Sequence, residues 1–327
     1  MRSFIKKLIF FTAPLVLLIL AGLLLPPTPR SFTSHLFAKH QMDARLRTAV
    51  SPRLILVGGS NISLSVNSQI IKDSLLINPI NTGISVNIGL YYMLDNTIKH
   101  VRKNDVVVVS PEYDHFFDNV AFGDEELVRT VFDVSPNSVR SLRPRQFLKI
   151  APLIPYYALS KFKVREYLFE RDSLEIYDRN AFNVYGDNCK HWTLPSREVE
   201  AFKPLEMSAF NRDVVDLLHE FEAAVEERGA KLFITYPALQ RASFLNQRQA
   251  IKKVEMELTK SGFSMLGTPE RYIFPDSLLF DSPYHLIKTG VDRRTSLLVE
   301  DLKRNWFNSD SIKNELNLNL AVKKAGC

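Results

Sequence analysis

The side chains best suited to chemistry sit in two short stretches far apart in the chain. The first is Val57-Gly58-Gly59-Ser60-Asn61, where an apolar run breaks into two glycines and a serine. The second is Phe280-Asp281-Ser282-Pro283-Tyr284-His285, an acid and a histidine just ahead of a closing helical pattern. A serine hydroxyl is a weak nucleophile until a base takes its proton; histidine is that base near neutral pH, and a carboxylate fixes its tautomer. A serine at a strand-to-helix turn also has backbone N–H groups beside it, suited to holding an oxyanion. Ser60, His285 and Asp281 are therefore the parts of an acyl-transfer site. A G-G-S-N turn alone is more often a plain loop, so the weight rests on its combination with the late D-S-P-Y-H.

Other chemistries find less support. The two cysteines, Cys189 and Cys327, form no CxxC and no cluster with histidine. That argues against a cysteine-ligated zinc and against a disulfide framework. Cys189, in GDNCKHW, is read as an idle thiol, since nothing near it lowers its pKa. His115 with Asp114 and Asp118 raises a metal site, but a polar loop after a strand explains them better. His35, His40, His100, His191 and His219 show no partner spacing and are expected to be surface or structural. No metal and no cofactor is expected.

To work together these residues need a scaffold that brings chain ends of strands into one crevice, and the pattern supplies one. Leu54 to Val57, the INPINTG segment, Asp105-Val106-Val107-Val108-Val109 and KLFITYPAL are short apolar or β-branched runs. Buried parallel strands have this signature. Between them lie helical patterns over Leu64 to Leu75, 87–103, NRDVVDLLHEFEAAVEERG and IKKVEMELTKSGF, with a last helix over 291–306. Strand and helix alternation implies βαβ units with right-handed crossovers. The predicted fold is α/β, a three-layer sandwich with a central parallel sheet of flavodoxin-like type. From about 117 to 202 the alternation breaks, and this segment is expected to be a helical insertion. From Arg129 to Arg171 it carries nine Lys and Arg against three acids, an excess that suits a solvated face or, less often, an anionic glycan or lipid headgroups.

The N-terminus sets the location. Leu8 to Leu25 is uncharged throughout and as a helix is about 27 Å long, enough to cross a hydrocarbon core. Arg2, Lys6 and Lys7 precede it and Pro26, Pro27 and Pro29 follow. With no A-x-A cleavage site after it, a single signal anchor is expected, with the N-terminus cytoplasmic and the main domain periplasmic or at the cell surface. Residues 1–30 are thus the cytoplasmic end and anchor, 31–50 a stalk, 51–307 the α/β domain with its insertion, and 308–327 a polar tail. The composition agrees with a folded, membrane-tethered chain. It has 327 residues, 46% hydrophobic and 24% charged, with a net charge of +6. That excludes disorder and permits a membrane surface or an anionic polymer as partner without calling for nucleic acid.

Taken in order, VGGSN at the first turn, Thr82-Gly83 after the second strand and D-S-P-Y-H-L-x-x-x-G before the last helix resemble the SGNH (GDSL-like) hydrolase superfamily. The likeness covers about residues 53–118 and 230–305. It looks closest to the membrane-anchored extracytoplasmic branch associated with O-acylation of cell-surface polysaccharides, of the alginate acetylation and teichoic acid D-alanylation type. The resemblance implies Ser60 as nucleophile, His285 as base, Asp281 as orienting acid, and Gly83 with the Ser60 amide in the oxyanion hole. Two departures stand out. The superfamily spaces its acid three residues before the histidine, whereas Asp281 is four before. Its G-x-N-D block falls where this chain has Ser110-Pro111-Glu112-Tyr113, leaving Asn61, Asn81 or the hydroxyl of Tyr113 as substitutes for the missing asparagine. The implied function is a serine-dependent acyl, most simply acetyl, transferase or esterase. Its partners would be an exported polysaccharide and an acyl donor delivered by a membrane protein. The alternative is a non-catalytic relative that binds glycan or a membrane acyl-exporting protein.

Overall fold

The computed structural model describes residues 1–117, 119–168 and 174–307. Asp118, Glu170, Arg171 and the tail 308–327 with Cys327 lie outside the described residues. The architecture is α/β. Strands β1 (Arg53–Gly58), β2 (Asn78–Asn81), β3 (Val106–Ser110), β4 (Lys231–Thr235) and β6 (Met265–Leu266) form one sheet in the order β2-β1-β3-β4-β6. Every pairing in it is parallel. A separate two-stranded parallel ribbon joins β5 (Leu239–Gln240) to β7 (Ile273–Phe274).

The apolar strands are buried because helices cover both faces. Ile55 and Val57 of β1 and Val107 and Val109 of β3 face one core. It is shared with the helices Leu90–Thr97, Asp213–Glu227 and Arg248–Lys260. Leu54, Leu56, Val106 and Val108 face the other, against Ile71 and Leu75 of Ser68–Leu75 and Leu298 and Leu302 of Lys288–Leu302. The period-2 alternation of strand side chains thus divides a continuous hydrophobic run between two layers. In the order 2-1-3-4, β1 and β3 are neighbours whose next connections leave in opposite directions. That makes the region beyond their carboxyl ends the topological switch point, where open parallel sheets bind ligands.

At the opposite end of the sheet, Arg53 and Asp105 form a fully buried bidentate pair, at 2.9 and 2.5 Å. The same guanidinium donates to the Leu46 and His100 carbonyls, so most of its donors are satisfied.

The stretch read as a stalk is folded into the domain. Pro29–Thr33, a 3-10 turn His35–Ala38 and the helix Lys39–Thr48 follow the anchor closely, and Leu36, Phe37, Met42 and Leu46 are buried in the main core. Burying each is worth about 1.5–3 kcal/mol, which a free stalk would forgo. The domain therefore starts before residue 51. The helix expected over 64–75 is regular only from Ser68 to Leu75, with a separate short helix Ser60–Ser63 before it, and that expected over 87–103 is regular only from Leu90 to Thr97. The interruption places Ser65 and Asn67 in the gap, where their polar atoms bond to Tyr284 and Thr295 instead of to the next helical turn. Between β3 and Asp213 the described residues form short helices, Glu125–Arg129, Pro144–Ile150 and Ile154–Ser160, with irregular turns. At the N-terminus the helix Arg2–Leu24 is long and apolar enough to cross a membrane, and it stands largely exposed, with Gly22 buried.

Candidate active site

The site is built at the carboxyl ends of β1 and β3. Gly58 pairs with Ser110, so the turn after β1 lies beside Pro111 and Glu112. The approach is too close for side chains. A Cβ on Gly59 would stand 2.5 Å from Glu112 Oε1, and one on Gly83 would stand 2.7 Å from the Gly59 carbonyl and 2.8 Å from the Ser63 nitrogen. Ser60 follows as the first residue of the short helix Ser60–Ser63 and is half-buried. The buried Asn61 is fixed underneath: its backbone N–H donates to Glu112 Oε1 at 3.2 Å and its side-chain amide to the Ser110 carbonyl at 3.1 Å. Arg294, from the last helix, donates to the Asn61 carbonyl at 3.2 Å, to Ser110 Oγ and to the Tyr236 carbonyl. It thereby gathers the ends of β1, β3 and β4 around one buried cation.

Asp281 and His285 meet as a pair. His285 Nδ1 lies 2.7 Å from Asp281 Oδ1, and the other carboxylate oxygen accepts from the Tyr177 hydroxyl at 2.7 Å. Burial pushes the Asp281 carboxyl up, but the hydrogen bond and charge of His285 and the Tyr177 hydroxyl outweigh it, leaving its pKa below the ordinary value. A reach of four residues is spanned here by a turn in which the His285 N–H donates to the Ser282 carbonyl, not by a helix. With Nδ1 turned to the carboxylate, Nε2 is buried and has no hydrogen-bond partner among the described residues. No hydrogen bond joins it to Ser60 Oγ in this conformation.

The two loops are nevertheless fastened together. Ser65 Oγ, five residues after Ser60, donates to the Tyr284 carbonyl at 2.7 Å. The Tyr113 N–H donates to the Tyr284 hydroxyl at 3.3 Å. Leu64 packs with Phe280 and Ile176 in a small apolar cluster.

The residues considered for the oxyanion hole are placed less openly. The Gly83 N–H donates to Asn81 Oδ1 at 3.0 Å. The Asn81 amide is itself committed to the Ile62 carbonyl and to Asp187 Oδ1. Asp187 is buried and also accepts from Ser68 and Asn183, so Asn81 belongs to a closed polar network that braces the turn. Tyr113 is buried beneath the turn. Asn61 keeps a buried, unpartnered Oδ1, which is an acceptor and does not suit an oxyanion. Glu112 is wholly buried, and burial is the main cause that raises its carboxyl to about 8, with Asp114 adding to it. At neutral pH it is mostly protonated, so little negative charge stands there to oppose an oxyanion.

Sequence reasoning missed Tyr177 and Arg294. Tyr177 comes from the insertion, and no motif marks it; Arg294 sits in an ordinary amphipathic helix, and nothing in the sequence separates it from the exposed Arg293 beside it. His115 has a structural task, its Nδ1 accepting from the Glu112 N–H. His191 also lies inside, with Nε2 2.9 Å from the Leu286 carbonyl, and burial lowers its pKa to about 4. Among the described residues no group of three or more His, Cys, Asp or Glu is arranged to hold a metal ion.

No protein-family model matches the chain, and no curated protein does. Among solved structures, an acetyl xylan esterase from the rumen bacterium Butyrivibrio proteoclasticus is similar over 78% of this chain and 64% of its own, at 12% identity and a TM-score of 0.27. This chain therefore spans slightly less than two thirds of that protein, and at so low a TM-score its site has to be argued from its own residues.

Proposed function

We propose that this protein is a membrane-anchored, serine-dependent acyl transferase or esterase acting on an exported cell-surface polysaccharide. The observation that carries the reading is the His285–Asp281 pair, with Nε2 left without a partner on a loop tied to the Ser60 turn at the switch point. Ser60 Oγ, brought to Nε2, would lose its proton to it and attack the acyl carbonyl. Asp281 stabilises the imidazolium, and His285 then returns the proton to the leaving alcohol. The acyl-Ser60 ester is next attacked by water or a sugar hydroxyl, with His285 again as base. The Ser60 N–H, at the first position of its helix, is the oxyanion donor this arrangement favours. Acetyl as the group, and polysaccharide as acceptor, rest on the resemblance to the O-acylating branch.

A second reading has its own support. With the Gly83 amide bonded to Asn81, the oxyanion site is poor in donors, as in a relative that keeps the fold to bind glycan or a membrane acyl-exporting protein. One experiment separates them: incubation of the full chain with a chromogenic acetyl ester and a serine-directed fluorophosphonate. Labelling mapped to Ser60, with loss of turnover, supports the enzyme. A folded protein that neither labels nor turns over refutes it in favour of the binding role.

A further inference from the structure

The insertion makes a contact with the anchor that a domain hung on a stalk would not make. In the last turns of the anchor, Ile19, Gly22 and Leu23 turn away from solvent, spaced as one helical face. At Gly22 the helix Ile154–Ser160 comes so close that a Cβ would overlap the Ala158 carbonyl. Three residues on, Lys161 closes the end of the anchor. Its ammonium donates to the Leu25 and Pro26 carbonyls at 3.0 and 3.1 Å and to Asp133 at 2.7 Å. It thus satisfies carbonyls that a helix terminus leaves unpaired.

Depth follows from this. Gly22 lies about 4.5 Å before the end of the apolar segment at Leu25, at 1.5 Å per residue. If that segment fills the hydrocarbon core, whatever touches Gly22 through its backbone enters the bilayer as well.

The surface of the insertion agrees. Leu148, Tyr156, Val164 and Leu168 are 71%, 75%, 68% and 78% exposed, with Phe162 beside them. Single exposed apolar residues are ordinary, but here they cluster within one segment next to the anchor. Interleaved with them are Lys149, Lys163 and Arg165, exposed and without an ion pair among the described residues. Other cations of the segment are engaged elsewhere: Arg143 pairs with Asp95 and Glu220, Arg145 with Asp213, and Arg129 with Glu125. Basic residues alternating with exposed aliphatic and tyrosine side chains suit the boundary between acyl chains and phosphate.

We propose that the insertion lies in the bilayer interface where the anchor emerges, its apolar residues among the acyl chains and its free cations at anionic headgroups. The α/β domain is then held flush with the membrane. This inference rests on the anchor crossing the bilayer.

The test uses the full chain in phosphatidylcholine–phosphatidylglycerol vesicles, with Cys189→Ser and Cys327→Ser as background. Single spin labels are placed through Tyr156→Cys, Leu168→Cys, Phe11→Cys in the anchor, and Leu76→Cys at the exposed end of Ser68–Leu75 in the α/β domain. Their collision rates with oxygen and with a water-soluble nickel chelate are compared. Labels at 156 and 168 should give oxygen-to-nickel ratios several-fold above that at 76 and close to that at 11. Nickel access at 156 and 168 equal to that at 76, with 11 still shielded, overturns the proposal while leaving the anchor intact. Shielding of 156 and 168 from both reagents means that protein, such as a second copy, covers the face, and overturns it too. Nickel access at 11 as well removes the anchor itself and the proposal with it.

Discussion

Glu112→Gln isolates one buried proton and reports on both stability and the site. The Glu112 carboxyl is held at about 8 in the folded protein, mainly by burial, against an ordinary value of 4.5. The native state therefore binds this proton more tightly than the unfolded chain. The stabilisation is complete below pH 4.5 and is lost as pH rises through about 8. At about 1.4 kcal/mol per pH unit the whole difference is on the order of 5 kcal/mol. Glutamine keeps an oxygen for the Asn61 N–H and cannot ionise, so the variant should be close to wild type in acid and more stable above about pH 8. Urea midpoints of the full chain in detergent micelles, read by tryptophan fluorescence across that range, measure the effect directly. Wild-type stability should fall toward alkaline pH while that of the variant stays flatter. The same proton bears on catalysis, because an ionised Glu112 under Gly59 would repel charge developing beside Ser60. Wild-type ester turnover should accordingly decline above about 8, and the variant should keep it. Parallel stability curves for the two proteins from acid to alkaline pH would refute the assignment of a buried, neutral carboxyl.

Ser60→Ala and His285→Ala should each abolish most ester turnover, and the double variant should lose little more, since each residue acts only through the other; additive losses in kcat would show that they are not one unit. Tyr177→Phe removes one hydrogen bond from Asp281, worth about 1 kcal/mol, and should lower kcat roughly five-fold with KM little changed, less than Asp281→Asn. Asp105→Ala leaves the Arg53 guanidinium buried without its carboxylate and should cost about 3–5 kcal/mol, seen as a lower urea midpoint with the fluorophosphonate reaction of the folded fraction unchanged.

Much of the scaffold was legible because it depends on short-range pattern. Leu54 to Val57 and Val106 to Val109 are apolar at every position, and only a strand covered on both faces accepts that. The stripe Val214, Leu217, Leu218, Phe221 and Val225 is helical by its spacing alone, and all five are buried in the helix expected there. The uncharged run after Lys7 is likewise a property of composition, and it forms one helix to Leu24. The fifth strand, Met265–Leu266, left no such trace, since two residues are too few to show a period.

The pairing of Asp281 with His285 lay within reach because four residues separate them, and a local turn closes that distance. What tertiary structure alone decided depends on contacts between distant segments. Residues 36–46 carry too little apolar pattern to announce a core helix, and they are buried because Arg53 and the sheet edge receive them. Tyr177 reaches Asp281 from the insertion across 104 residues. Glu112 shows the same: in sequence a glutamate reads as a charge, whereas beneath Gly59 it is a mostly neutral acid. A carboxyl's charge is set by its solvation, and solvation is determined only when the chain has closed around it.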